Sequence, residues 1–348
     1  MKRINNRDHL FDVLRIVAAF DVVLLHVSAP LIKGAPSINS LNWWVGNVAV
    51  SYSRWCVPIF VMISGALILN NKYESITDFY QKRSRRILIP IVFWSVFYFV
   101  WRFLNGEQLD ARQIVVLIAM GKPYDHMWFL YMILGLYILT PFMRAFVKIA
   151  DRKLLIFAIF SIYTFVLVQR GVDIKSGYEK YFFTTMSLFC MSYFLMGFYL
   201  FQTEQKIFNN NKPVFWGGIF LLSGLAISLC TVLLYHYLGE TAFKLMANVN
   251  NPLVVFMSIS IAVFVKTLLI KSNYRYIRLL ERISSLTLGI YIIHPIWIEI
   301  LSWLGISTSS MSITPLISIP LISLATFTLC TLSAYLLFLI PGLRRTIG

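Results

Sequence analysis

The hydrophobic and polar positions of this chain alternate in long blocks. Apolar runs of about 20 residues, the length that crosses a hydrocarbon core as a helix, are separated by short polar connections. The pattern predicts membrane-spanning helices at residues 12–32, 45–69, 87–104, 127–147, 154–168, 181–202, 213–237, 250–270, 285–304 and 315–340. The run from Ile114 to Met120 is too short to span and is predicted to be re-entrant or interfacial. The expected fold is an all-α, polytopic transmembrane helical bundle of about ten spans.

The composition supports a membrane protein. Of the 348 residues, 58% are hydrophobic and only 13% are charged, whereas roughly a quarter of the residues in a soluble domain are charged. A water-soluble globule is therefore excluded. We expect residues 1–348 to form a single integral membrane domain with no appended soluble domain.

The formal net charge of +16 would suggest nucleic acid as the partner of a soluble protein. Here, however, the basic residues lie mostly in the connections between the apolar runs. When the N-terminus is placed in the cytoplasm, far more lysines and arginines fall inside than outside, as the positive-inside rule requires. We therefore predict a multi-pass protein in contact with membrane lipid, with both termini cytoplasmic and no nucleic-acid partner.

The first predicted span carries ionisable side chains, which are costly inside a membrane and mark candidate functional sites. His26 follows Arg15 by 11 residues, so a helix returns both to within roughly 20° of one face, about 16 Å apart along the axis. Asp12 lies one turn from Arg15, in position to pair with it. The alternative, that these residues only stabilise contacts between helices, stays open.

A second candidate site is the basic cluster in QKRSRRILIP, directly before the third predicted span. Arginine binds phosphate through two parallel hydrogen bonds, and Arg83 and Arg86 share one helical face. The same cluster is also what any cytoplasmic loop collects in order to meet anionic lipid head groups.

Three further blocks contain residues that suit chemistry or close packing. VPIFVMISG holds Ser64 beside a glycine, a combination that lets helices approach closely. HMWFLY holds His126 and Trp128, the latter typical of a membrane interface. SSLTLGIYIIHP holds Tyr291 and then His294, which directly precedes a helix-kinking proline. The cysteines show no metal-binding spacing, and we expect no metal.

Taken in order, these blocks resemble acyltransferase family 3, integral membrane enzymes that O-acetylate bacterial surface polysaccharides. The matching pieces are DVLRIVAAFDVVLLH, VPIFVMISG, the Arg83-x-x-Arg86 pair followed by ILIP, HMWFLY and LGIYIIHP. Their order makes the resemblance more specific than any single block. The chain also looks like the enterobacterial common antigen type of this family, which is a bare membrane bundle.

The resemblance implies an O-acetyltransferase of the bacterial inner membrane, with acetyl-CoA as co-substrate and a hydroxyl of a cell-surface polysaccharide or lipid-linked glycan as acceptor. Arg83, Arg86 and Arg15 would hold the phosphates and pantetheine arm of the coenzyme. His26, supported by Arg15 and Asp12, would be the general base or a transient acyl carrier.

The resemblance leaves several assignments open. The donor of hydrogen bonds to the oxyanion is one of Trp128, Tyr291 and Ser64, and the alternative catalytic histidines are His294 and His126. A homo-oligomer is compatible with the sequence. The rival function is a transporter or flippase for a glycan or lipid-linked intermediate, because a bundle with charges near its midplane also serves transport.

Overall fold

The computed structural model describes the chain apart from residues 1–5, 34–36, 71–74, 177–182, 203–211 and 270–276. Helices and the turns between them account for the described residues, and no β-strand occurs among them. The predicted all-α class is confirmed.

The bounds of the helices follow the predicted apolar runs closely. In chain order they are α1 (Asn6–Lys33), α2 (Leu41–Tyr52), α3 (Cys56–Leu69), α4 (Ile76–Leu104), α5 (Ala111–Ala119), α6 (Trp128–Ile149), α7 (Arg152–Ser176), α8 (Phe183–Gln202), α9 (Pro213–Leu238), α10 (Glu240–Met246), α11 (Pro252–Leu269), α12 (Ile277–Ser285), α13 (Thr287–Trp303) and α14 (Pro315–Leu339). Two short 3-10 turns, Asp125–Met127 and Leu343–Thr346, complete the assignment in the described part.

Seven segments of the described chain are long and apolar enough to cross a membrane, and the consecutive helices α2 and α3 form one of them. The bent pair α12 and α13, which meet at 59°, raises the number to eight. The predicted number of about ten spans exceeds this because it also includes α1 and α8. The apolar part of α8, Thr185–Phe201, is shorter than the other segments, and α1 carries the ionisable residues described above.

The structure adds detail that the hydrophobic pattern did not contain. The predicted span 45–69 is interrupted by a turn at Ser53–Trp55, which separates α2 from α3. The short segment around residues 114–120 is the helix α5, which begins with a capping box: Asp110 accepts from the backbone of Gln113, and the Gln113 side chain accepts from the backbone of Asp110.

The chain divides into two compact units, Met1–Phe60 with Glu204–Leu336, and Val61–Thr203 with Leu337–Gly348. In the first unit, α1 packs against α2, α11, α12 and α13, and α9 packs against α2, α10 and α11. A buried hydrogen bond supports this packing, because the Asn47 amide nitrogen donates to the Ser228 carbonyl oxygen at 3.1 Å.

In the second unit, α6 packs against α4 and α8, and α7 packs against α8. The helices α3 and α8 meet at two glycines: a Cβ on Gly65 would lie 1.9 Å from the Phe194 carbonyl oxygen, and one on Gly197 would lie 1.9 Å from that of Met62. The predicted role of the Ser-Gly pair in close helix approach is confirmed at Gly65.

Candidate active site

The first unit contains the charged residues predicted on the first helix. Asp12, Arg15 and His26 all lie on α1, which is continuous from Asn6 to Lys33. An Arg15 guanidinium nitrogen lies 3.9 Å from the Asp12 carboxylate, so the predicted pairing is present. The Arg15 side chain is 31% exposed and that of Asp12 is 15% exposed, so solvent or a ligand still reaches the pair.

A second partner holds the Asp12 carboxylate in place. The Ser284 hydroxyl of α12 donates to it at 2.6 Å. The carboxylate accepts this hydrogen bond while it keeps the longer ion pair with Arg15. Ser284 was not among the predicted site residues, since nothing in the sequence indicates that the turn before α13 meets the start of α1.

His26 and His294 lie against each other in the first unit. Their ring centroids are 4.8 Å apart and the rings are tilted by 48°. His294 is completely buried on α13, and its ring centroid lies 5.9 Å from that of Tyr291, one turn away. The structure therefore brings together three of the residues that the sequence named separately.

Pro295 explains which nitrogen of the His294 ring carries the proton. Proline has no backbone N–H, so the Tyr291 carbonyl, four residues before it, loses its normal helical donor. Nδ1 of His294 lies 2.5 Å from that carbonyl oxygen. A carbonyl oxygen only accepts hydrogen bonds, so Nδ1 is the protonated nitrogen, and in the neutral ring Nε2 keeps its lone pair.

The two imidazoles lie close enough for a charge on one to act on the other. Two cationic rings at this separation would repel each other strongly in a poorly solvated environment. A neutral imidazole has a lone pair that can take a proton from a hydroxyl and later return it, which makes the pair a candidate for general base chemistry.

Asp21 lies on α1 but belongs to a different environment. It lines a mostly apolar cavity of about 580 Å³ in the first unit, together with Trp44 and Tyr52. The cavity has one carboxyl group among its lining residues and no histidine. It contributes space for an apolar group and no further catalytic side chain.

The second unit contains the predicted coenzyme-binding arginines. Its main feature is a cavity of about 880 Å³, here called the basic cavity, which is lined by the cations Lys82, Arg85, Arg86, Arg344 and Arg345. Arg86 is thus one of five cations in the lining of this cavity. Arg83 does not line this cavity; its guanidinium lies 5.8 Å from the centroid of the Phe79 ring.

The remaining predicted residues also belong to the second unit. His126 is 2% exposed and lies among aromatic rings, with its centroid 5.0 Å from that of Tyr98 and 5.8 Å from that of Tyr124. Trp128 begins α6 and is half-buried, as is Ser64 on α3. His126 therefore sits in an aromatic cluster that accounts for its burial.

Comparison with known proteins identifies the class. The acyltransferase family 3 model, described as an acyltransferase domain, matches residues 8–335, nearly the whole chain. The chain therefore belongs to this family and is an acyltransferase, and its apolar helices indicate a multi-pass membrane protein. No curated protein and no solved structure gives a significant match. The narrower likeness to the enterobacterial common antigen type stays a prediction.

Proposed function

We propose that this acyltransferase is an acetyl-CoA-dependent O-acetyltransferase of the bacterial inner membrane that modifies a hydroxyl of a cell-surface polysaccharide or lipid-linked glycan. Both termini would lie in the cytoplasm, where the donor is made. The observation that carries the proposal is the contact between His26 and His294, a paired base on two helices of a chain that belongs to this family.

The proposed reaction needs one base and one oxyanion stabiliser. His26 accepts the proton of the acceptor hydroxyl as its oxygen attacks the thioester carbonyl carbon. The oxyanion that forms accepts a hydrogen bond from Tyr291, Trp128 or Ser64. Collapse breaks the carbon–sulfur bond, and the leaving thiolate takes the proton from His26, which yields the acetyl ester and free coenzyme A.

His294 supports His26 in this scheme. The hydrogen bond to the Tyr291 carbonyl fixes its tautomer, so the same ring nitrogen always keeps the lone pair. A fixed tautomer keeps His294 in one orientation beside His26, which lowers the reorganisation needed during the reaction.

Arg15 is proposed to contact the donor. A guanidinium binds phosphate or the polar pantetheine arm through charge-assisted hydrogen bonds, which are stronger than neutral ones. Asp12, fixed by Ser284, restrains that guanidinium without covering it, since the Arg15 side chain remains 31% exposed. Arg83 and Arg86 are proposed to bind donor phosphates, with direct support for Arg86 from its place in the basic cavity.

The test is transfer of radiolabel from acetyl-CoA to a membrane glycolipid by the purified protein. His26→Ala and His26→Gln should each lower turnover by about 10²- to 10⁴-fold, the range typical of a lost general base, while coenzyme A still binds. His236→Ala is the matched control, because that histidine is exposed near the end of α9.

Two results would overturn parts of this proposal. Near-normal turnover of His26→Gln would make His26 structural and move the base to His294 or His126. Movement of glycan across a vesicle membrane by the wild-type protein, with no transfer of label, would replace the transferase by a transporter.

A further inference from the structure

The basic cavity is assembled from two segments that are far apart in the sequence. Lys82, Arg85 and Arg86 come from the first half of α4, whereas Arg344 and Arg345 come from the 3-10 turn that follows α14. Both segments belong to the second compact unit. The cavity of about 880 Å³ falls within the usual size of a ligand site and is far larger than one phosphate ion needs.

The charged side chains in the lining of this cavity are all cationic. No aspartate or glutamate is among its lining residues. Within the described residues, Arg85, Arg86, Arg344 and Arg345 form no ion pair with an acidic side chain. Cations held close together repel one another, so this arrangement is most stable when an anion occupies the cavity.

The C-terminal segment is held at the cavity by specific contacts. The Trp94 indole N–H donates to the Thr346 carbonyl oxygen at 2.8 Å in a buried position, and Ile347 is 2% exposed. The Arg344 guanidinium lies 4.3 Å from the centroid of the Phe338 ring, which limits the directions it can take. The two terminal arginines are therefore placed by the fold.

We propose that the basic cavity binds two or more phosphate groups at once, and that Arg344 and Arg345 bind them together with Arg86. Arginine suits these groups because its planar fork matches two phosphate oxygens at once. The phosphates belong either to the coenzyme donor or to the head groups of anionic phospholipids. The proposal rests on the proposed function only where the ligand is named as coenzyme A.

The first experiment measures coenzyme A binding by calorimetry to the full chain in a neutral detergent. The double variant Arg344→Gln/Arg345→Gln should bind about 10- to 100-fold more weakly, since each charged hydrogen bond contributes more than a neutral one. The control Lys148→Gln/Lys153→Gln removes the same charge from exposed positions of the same unit and should bind normally.

A second variant separates a binding role from a folding defect. Trp94→Phe keeps an aromatic ring but removes the donor to the Thr346 carbonyl, so the terminal arginines lose one restraint. The affinity for coenzyme A should fall by about fivefold, the value of one ordinary hydrogen bond, in a protein that elutes as a single folded species.

The second arm tests the lipid source by native mass spectrometry of protein extracted from phosphatidylglycerol nanodiscs. Loss of retained phosphatidylglycerol in the Arg344→Gln/Arg345→Gln variant, with unchanged coenzyme A binding, assigns the site to lipid head groups. Unchanged binding of both ligands overturns the proposal. Normal coenzyme A binding by the wild-type protein without acetyl transfer would overturn the proposed function and leave this site in place.

Discussion

Pro295 affects the chemistry of the neighbouring His294 as well as the shape of the helix. By withholding an N–H from the Tyr291 carbonyl, it leaves that oxygen to accept from the His294 ring. Pro295 thus fixes the tautomer of His294 although the proline side chain has no polar group.

Replacing Pro295 with alanine should therefore slow the reaction. Alanine restores a backbone N–H that competes for the Tyr291 carbonyl, so the preference of His294 for one tautomer falls by the value of about one hydrogen bond. We expect Pro295→Ala to lower kcat by about fivefold while KM for acetyl-CoA stays the same. Steady-state transfer assays on the purified variant measure both quantities.

The control for this experiment is Pro141→Ala. Pro141 also lies inside a helix, α6, but follows a threonine whose hydroxyl donates to the Leu136 carbonyl at 2.9 Å. The Pro141→Ala variant should leave kcat unchanged. Equal losses of kcat in both variants would mean that helix distortion, and not the His294 tautomer, limits the rate.

Single residues also show where sequence reasoning reached its limit. The pairing of Asp12 with Arg15 followed from their spacing of one turn, and the structure contains it. The contacts of His26 with His294 and of Asp12 with Ser284 join distant parts of the chain. Helical periodicity shows on which face of its own helix a residue lies, but not which other helix packs against that face. These contacts could therefore not be predicted from the sequence.

At the scale of helices, the crossing of α3 and α8 depends on two residues without side chains. A methyl group on Gly65 would fall 1.9 Å from a backbone oxygen of α8, and backbone cannot rotate away as a side chain can. Gly65→Ala should therefore separate the helices and destabilise the protein by about 1–3 kcal/mol. The thermal unfolding midpoint in detergent measures the effect.

Gly171→Ala provides the comparison in the same unit. Gly171 lies in α7, and a Cβ there would meet no atom within 4 Å. Because alanine favours a helix over glycine, this variant should be neutral or slightly more stable. A lower midpoint for Gly171→Ala than for Gly65→Ala would contradict the close crossing.

We expect the ordering of the connection between α4 and α5 to depend on pH. Two hydrogen bonds from the Arg102 guanidinium, at 2.7 and 2.5 Å, hold the pKa of Glu107 below its ordinary value of 4.5. The ordering that they provide is complete above that value and is lost as the pH falls through the lowered pKa. Amide hydrogen exchange of residues 105–110, corrected for intrinsic rates, should show this loss in acid.

A substitution isolates the carboxylate from other effects of acid. Glu107→Gln should give fast exchange of the same segment already at neutral pH, since the charge is absent at every pH. Protection equal to that of the wild type at neutral pH would show that Arg102 orders the segment through its other bond, to the Pro123 carbonyl at 2.9 Å.

The helices were the most predictable level of the structure. Each predicted apolar run corresponds to a helix because burial in lipid requires every backbone group to be bonded within its own segment. The pattern did not predict α12, which precedes the predicted span 285–304, and it did not place the turn at Ser53–Trp55. Such features depend on the packing of neighbouring helices.

For the whole molecule, the number of membrane crossings depends on α1, on α8 and on the bent pair α12 and α13. The seven clear segments, the bent pair α12 and α13, and the two helices α1 and α8 together account for the predicted arrangement. If all of them cross, reporters fused at Lys122 and Ser309 should lie in the periplasm and one at Lys82 in the cytoplasm. Fusions at Tyr178 and Asn210, which lie outside the described residues, should report periplasm and cytoplasm respectively.

These fusions also test α1 and α8 one at a time. If α1 does not cross, Lys82 and the N-terminus lie on opposite sides of the membrane. If α8 does not cross, Asn210 reports the same side as Tyr178. The first result would move the basic cavity, and the proposed donor site with it, to the other side of the membrane. The second would put Lys82 and Arg344 on opposite sides, although both line that cavity.

The anchoring of the C-terminal segment by Trp94 has a practical consequence for how the protein is labelled. An affinity tag joined after Gly348 begins beside the cations of the basic cavity, because Gly348 itself lines it. An acidic tag would then be a tethered competitor, with an effective local concentration on the order of millimolar. Such a fusion would lower the apparent affinity for phosphate ligands even with every arginine intact.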